Sequence, residues 1–537
     1  VNMTKEEIKK EIEGGQACLG IEFGSTRIKA VLIDSVAEPI AGGAFDWENS
    51  LVDGIWTYSL EEIHTGISTA FAEMKKDVET KYGVKLTKLK SLGISAMMHG
   101  YLAFDKDGKL LVPFRTWRNT ITAAASKELS ALFNYPIPER WSIAHLYQAV
   151  LNKEEHVPSL AFFTTLAGYV HWVLTGQKVL GVGDASGMFP IDAATGDYNK
   201  NFIEKFNGLV AKYSFPWKLE NLLPKVLPAG TEAGRLTKEG AAWLDKDGTL
   251  ESGILLAPPE GDAGTGMTAT NSVAERTGNV SAGTSVFAMI VLEKPLSKAY
   301  NGLIDIVSTP DGKPAAMAHA NNGTTDLNAW TGLFGELCGL MGIEADMGTL
   351  FTRLYTHSLT GDPDCGGVLP YGYYSGENIT QINEGRPLLV RTPESRFNLA
   401  NFMRANLYTS IGSVKIGLDI LLKDEGVKLD RMMGHGGMFK TPGVMQKYLA
   451  AAVNAPVAVM ETASEGGAWG VALLAAYLAD GRRDGSLEDY LEDRVFKDLV
   501  GEAVEPDPAE VEGFELFTDH YRKGLEIEKA AIEAVDW

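Results

Sequence analysis

Two hairpins, one near the start of each half of the chain, set the strongest limit on its fold. Cys18–Ile21 and Ile28–Asp34 are apolar, β-rich runs joined through Gly24-Ser25-Thr26. Gly278–Ser281 and Val286–Leu292 repeat the plan around Gly283-Thr284-Ser285. Neither gap has room for a crossover helix, so each pair should close as an antiparallel hairpin. The 537 residues are too many for one core, which predicts two large domains that begin alike. Each turn, taken alone, reads equally well as an ordinary hairpin turn.

Between and after the hairpins the pattern is mixed. Lys90–Ser95 predicts a short buried strand, and Leu102–Phe104 and Leu110–Val112 flank an Asp-Gly turn at Asp105–Gly108. Thr120 to about Leu174 has helical periodicity, closed by Gly176. Gly253–Ala257 predicts a strand leading to Asp262 and a small-residue helix. Asn398–Leu422 reads as one long amphipathic helix, Val457–Glu461 as a strand and Gly466–Ala479 as a second small-residue helix. Phe514, Phe517, Tyr521 and Leu525 form one stripe, the mark of a terminal helix docked on the body.

Composition excludes several classes. A net charge of −21 argues against nucleic acid, whose phosphates need a basic footprint. No apolar run is long enough for a membrane span, and the charged N-terminal stretch is not expected to act as a signal peptide. Three cysteines, Cys18, Cys338 and Cys365, are too few and scattered for a disulfide framework or a zinc cluster, so a cytoplasmic location is expected. The chain has no Walker-type phosphate loop, and Gly264-Thr-Gly266 lacks the acidic residue that a dinucleotide fold requires.

The turn Glu22–Lys29 carries chemistry. Gly24 and Ser25 let backbone N–H groups approach a phosphate, and the Ser25 and Thr26 hydroxyls add donors. The Glu22 carboxylate could hold magnesium through water, and Lys29 adds positive charge on the next strand. Gly283, Thr284 and Ser285 offer a matching set, and two such turns facing each other would clamp a triphosphate. Gly434-His-Gly-Gly437 would let a flat ligand such as adenine lie on the backbone, or is a plain loop. Asp262, at a strand-to-helix passage, suits a base that takes the proton of an attacking alcohol; a simple N-cap is the other reading.

In order along the chain, these pieces resemble the FGGY family of carbohydrate kinases. The stretches are EFGSTRIK from Glu22, MMHG from Met97, YVHWVLTG from Tyr169, GDASGMFPID from Gly183, and LPKVLPAGTEAG from Leu223. GDAGTG from Gly261, SAGTS from Ser281, GHGGMFKTPGVMQ from Gly434 and PVAVMETASEGGAWGVALLA from Pro456 complete the series. The resemblance implies an α/β fold of two actin-like (ribonuclease H-like) domains with a hinge and an interdomain cleft. Residues 16–273 would form the first, bearing sugar and base, and 274–485 the second, bearing nucleotide, with 486–537 a docked helical extension.

The implied reaction is transfer of the ATP γ-phosphate to a sugar hydroxyl, with Asp262 as general base. Gly24, Ser25, Thr26, Lys29, Gly283 and Thr284 would hold phosphates, and Gly436, Gly437 and Met438 would lie near adenosine. Glu22 and Asp262 would serve Mg2+. MMHG resembles a xylulokinase segment, which places Met98 and His99 near the sugar, a ketopentose such as xylulose or ribulose. Trp117 matches a further family tryptophan, while Asn119 stands where aspartate is usual and the arginine that normally follows has no counterpart. Glu22 also replaces a usual aspartate, extending the carboxylate by roughly 1.5 Å. The family's exposed helices often pair, so a homodimer is an open expectation. An actin-like ATPase switch acting on a protein partner and a catalytically silent sugar-binding relative are the rival readings.

Overall fold

The computed structural model describes residues 3–460, 466–481, 485–497 and 501–535. Both expected hairpins form. Cys18–Phe23 pairs antiparallel with Arg27–Ile33, setting Glu22 directly across from Lys29. Thr277–Ala282 pairs in the same sense with Val286–Val291.

A six-stranded sheet grows around each hairpin, and the two differ beside its second strand, where the first adds the next strand of the chain and the second the next but one. The first runs Leu255–Leu256, Ser91–Ala96, Cys18–Phe23, Arg27–Ile33 and Pro39–Asp46, with Glu260–Gly261 also paired to Ser91–Ala96. The second runs Val457–Val459, Arg431–His435, Thr277–Ala282, Val286–Val291, Pro314–Ala320 and Asp305–Ser308. In both, the hairpin's first strand lies parallel to its other neighbour. Parallel strands are normally covered on both faces, and Ser91–Ala96 is accordingly buried throughout. The sequence placed Leu110–Val112 opposite Leu102–Phe104. That hairpin forms in part, with Leu110 bridging Phe104 and Leu111 N bonded to the Ala103 carbonyl at 2.8 Å, while the regular strand partner of Leu102–Phe104 is Phe162–Thr164.

The chain packs as two compact units, one of residues 1–274, 306–315 and 464–498, the other of 275–305, 316–463 and 499–537. The units interleave along the sequence, where the sequence suggests contiguous segments. In the first, the Gly466–Ala479 helix lies on the Cys18–Phe23 strand. Glycines make the approach close: a Cβ on Gly20 would stand 2.6 Å from the Ala472 nitrogen. Such proximity explains why the helix is built of small residues.

In the second unit, the stretch expected as one amphipathic helix is two, Leu399–Ser410 and Gly412–Asp419, followed by a π turn at Ile420–Asp424. It is buried on every face from Ala400 to Asp419. Its polar residues gain partners from the terminal helix, Pro508–Ala534. Arg404 pairs with Glu510, and Lys415 reaches Glu515 at 2.6 Å and Asp419 at 2.6 Å. Phe514 stacks on Tyr408 with centroids 4.1 Å apart. Removing one partner of such a buried pair costs about 3–5 kcal/mol, so the terminal helix is part of this core. Among the described residues no helix is long and apolar enough to cross a membrane.

Candidate active site

The first turn is braced from behind. The carbonyl of Gly24 accepts from Trp47 Nε1 at 2.8 Å, that of Ser25 from the Tyr58 hydroxyl at 2.6 Å, and that of Thr26 from Trp47 N at 3.1 Å. Trp47 and Tyr58 are themselves stacked, with centroids 4.0 Å apart. With its carbonyls occupied, the turn presents Ser25 and Thr26 exposed. Carbonyl oxygens repel an anion, so tying all three away is what a phosphate turn needs.

The second turn shows the same arrangement with different partners. The Gly283 carbonyl accepts from Thr324 N at 3.0 Å, Thr284 from Gly323 N at 2.8 Å and Ser285 from Gly283 N at 3.0 Å. Thr284 and Ser285 are exposed. Beside it, Gly436 has φ of 101°, and a Cβ there would lie 2.5 Å from the Ala282 carbonyl oxygen, so this backbone passes flat against the strand end. Gly436 and Gly437 are exposed. Met438, expected beside a ligand, is 1% exposed and lies in the 3-10 turn of Gly437–Lys440.

Asp262 is the first residue of the Asp262–Ala269 helix. Its Oδ1 accepts from Met98 N at 3.2 Å and Ala263 N at 3.1 Å. The side chain keeps an exposed face. The protein packed around it raises its carboxyl above the usual aspartate range, while these N–H groups and Arg140 pull the other way. Burial first, and the Asp262 charge second, push Glu22 up to about 7. Lys29 and the Ala468 N–H oppose that shift. Glu22 thus turns toward the N-terminus of the Gly466–Ala479 helix, where its longer side chain is accommodated.

His99 is 7% exposed and already engaged. Its Nδ1 lies 3.2 Å from the Gly187 carbonyl, which can only accept, so Nδ1 carries the proton. Its Nε2 then accepts from Arg140 Nε at 3.1 Å. Burial, then the Arg140 charge, holds the ring well below the usual histidine range, hence neutral. The sequence reading missed Arg140, which brings a cation to Asp262 and His99 from an element far from the position where an arginine was expected. Behind Asp262 sit two further carboxyls. Burial, then Asp184, raises Glu260 to about 8, and burial, then Asp262, raises Asp184 to about 7. Glu260 accepts from Gly183 N and Asp184 N at 3.1 and 2.9 Å, and Asp184 from the Thr165 hydroxyl at 2.6 Å.

Trp117 is 41% exposed and donates to Met97 Sδ at 3.4 Å, next to this cluster. Asn119, expected near the sugar, has backbone partners for both ends of its side-chain amide. It is buried, accepts from Trp56 N at 2.8 Å and donates to the Trp56 and Thr116 carbonyls at 2.8 and 3.0 Å. Its amide braces a loop.

Magnesium is the ion such a site implies. Among the described residues no group of three or more His, Cys, Asp or Glu could hold a metal. The Asp262 charge contributes to the raised Glu22 carboxyl, so the two groups are near enough to act together. One or two carboxylates, completed by water and phosphate, are the usual magnesium donors, so the pair fits.

The decisive comparison is with families. The N-terminal domain model of the FGGY family of carbohydrate kinases matches residues 17–250, and its C-terminal domain model matches 278–479. The chain belongs to the FGGY family of carbohydrate kinases. It is a carbohydrate kinase, with the two-domain actin-like (ribonuclease H-like) fold of that family. A xylulose kinase of Haemophilus influenzae is 21% identical over 520 residues, covering 94% of this chain and 98% of the relative. Two solved structures share the fold: a xylulose kinase from Rhodospirillum rubrum (TM-score 0.76, 16% identity, 95% and 98% of the two chains) and a gluconate kinase from Lactobacillus acidophilus (TM-score 0.76, 16% identity, 96% and 98%). Equal similarity to kinases of a ketose and a sugar acid means that fold alone does not choose the sugar.

Proposed function

We propose that this kinase transfers the γ-phosphate of ATP to a hydroxyl of a ketopentose, with Asp262 as general base. The placement of Asp262 carries the reading: an aspartate at a helix start, bonded to Met98 N, beside His99 and Arg140. The likeness to a xylulose kinase along nearly the whole chain, together with the Met98–His99 pair, supports a ketopentose.

In this account Asp262 takes the proton of the attacking hydroxyl as its oxygen approaches phosphorus. His99, fixed as a neutral ring by Gly187, orients Arg140, whose guanidinium would bind sugar oxygens. Trp117 offers an apolar wall to the sugar's carbon face. Ser25 and Thr26 on one turn, and Thr284 with Gly283 on the other, would bind phosphate oxygens, with Lys29 adding charge. Gly436 and Gly437 would underlie the adenine. Glu22 and Asp262 would hold Mg2+, which supplies charge neutralisation on the transferring phosphate.

A coupled ADP-release assay over ketoses, polyols and sugar acids tests the proposal. Ketopentose-dependent release, lost in Asp262→Ala, is the expected result. Release that ignores the sugar would sink the reading and favour the ATPase switch.

A further inference from the structure

Glu377 lies outside every motif considered so far, yet it is held 1% exposed. Its Oε2 is met by N–H groups: Asn321 N at 2.9 Å, Asn322 N at 3.2 Å and Asn322 Nδ2 at 3.2 Å. Its Oε1 has no hydrogen-bond partner among the described residues. A buried carboxylate so incompletely satisfied costs stability, and its persistence calls for a structural return.

That return lies in the segment it grips. Asn321 and Asn322 follow the strand Pro314–Ala320 and lead into Gly323 and Thr324. Asn322 is fixed a second time, its Oδ1 accepting from Tyr374 N at 2.9 Å and Ser375 N at 3.1 Å. Gly323 N and Thr324 N are the groups that tie away the carbonyls of Thr284 and Gly283. A Cβ on Gly323 would stand 2.9 Å from the Thr284 oxygen, so the two segments are in direct backbone contact.

We infer that Glu377 is a positioning residue for the second phosphate turn: through Asn321 and Asn322 it holds Gly323 and Thr324 against the carbonyls of Thr284 and Gly283, leaving the exposed side of that turn to the nucleotide. The inference rests on the reading of this turn as a nucleotide site. Glu377 touches no substrate itself. Its role is the counterpart, in the second unit, of the bracing that Trp47 and Tyr58 give the first turn.

The test is calorimetric titration with magnesium and ADP, with KM for ATP and for the sugar, on wild type, Glu377→Gln, Glu377→Ala and Asn322→Ala. Glu377→Ala should weaken ADP binding and raise the ATP KM about tenfold, as the three N–H bonds to Oε2 that hold this segment are lost, and leave the sugar KM unchanged. Glu377→Gln keeps an acceptor oxygen and should recover most of the affinity. Should Glu377→Ala fail to fold, Asn322→Ala decides, since it loosens the same segment and leaves both backbone donors to Glu377. Variants that melt earlier but bind ADP as wild type does, with an unchanged ATP KM, overturn the inference alone. A wild-type protein that binds no ADP overturns the nucleotide reading and this inference with it.

Discussion

Gly467→Ala offers a sharp probe of how Glu22 is seated. A Cβ at Gly467 would stand 2.8 Å from Glu22 Cδ and 2.8 Å from Thr265 Oγ1. Carbon atoms rest about 3.5–4.0 Å apart, so the carboxylate must retreat by about 1 Å. Retreat breaks its bond with the Ala468 N–H, worth about 1.5–3 kcal/mol for a charged acceptor. Staying put leaves overpacking strain of about 1–3 kcal/mol. Either way Gly467→Ala should destabilise the first unit by about 2 kcal/mol. Glu22→Asp withdraws the carboxylate by roughly 1.5 Å and makes the room that the added methyl group needs. The double variant should therefore be more stable than additivity allows, with a coupling of about 1–2 kcal/mol, read by guanidinium unfolding of the four proteins without magnesium. Coupling below about 0.5 kcal/mol would show that Glu22 does not occupy this place.

Tyr58→Phe removes the hydroxyl that holds the Ser25 carbonyl, and should raise the ATP KM by about fivefold, the worth of about 1 kcal/mol, without changing the sugar KM; equal shifts in both would contradict the bracing role. Burial raises Glu528 to about 7, above its usual value of 4.5. The folded state then binds the proton more tightly than the unfolded one, so this residue's contribution is full at low pH and is lost as pH rises from about 4.5 through 7. Glu528→Gln should gain about 2 kcal/mol on wild type between pH 5 and pH 8 in unfolding experiments, and parallel pH profiles would refute the shift.

The sequence reveals what is encoded locally. Both hairpins, the Asp262 helix start and the Gly466–Ala479 helix follow from apolar runs, turn residues and side-chain size within a few positions. The pairing of Leu102–Phe104 with Phe162–Thr164 was hidden because a nearby Asp-Gly turn offered a more obvious partner. The helix after Asn398 looked amphipathic since Arg404, Lys415 and Asp419 are charged, but the terminal helix about a hundred residues on covers and neutralises them. The site divides the same way. Residues in short motifs, such as Ser25, Met98 and Thr284, were visible. Trp47, Tyr58, Arg140, Asp184, Glu260 and Glu377 were assigned no role, as they act on those motifs only through tertiary contacts. Asn119 and Met438 stand at motif positions, where the first has backbone partners and the second is buried.

The central claim is most directly tested by following the fate of the γ-phosphate. ATP labelled there, incubated with magnesium and a ketopentose, should yield labelled sugar phosphate and little labelled inorganic phosphate, with transfer slowed about a hundredfold or more in Asp262→Asn. Label appearing only as inorganic phosphate, at a rate indifferent to the sugar, would contradict the account.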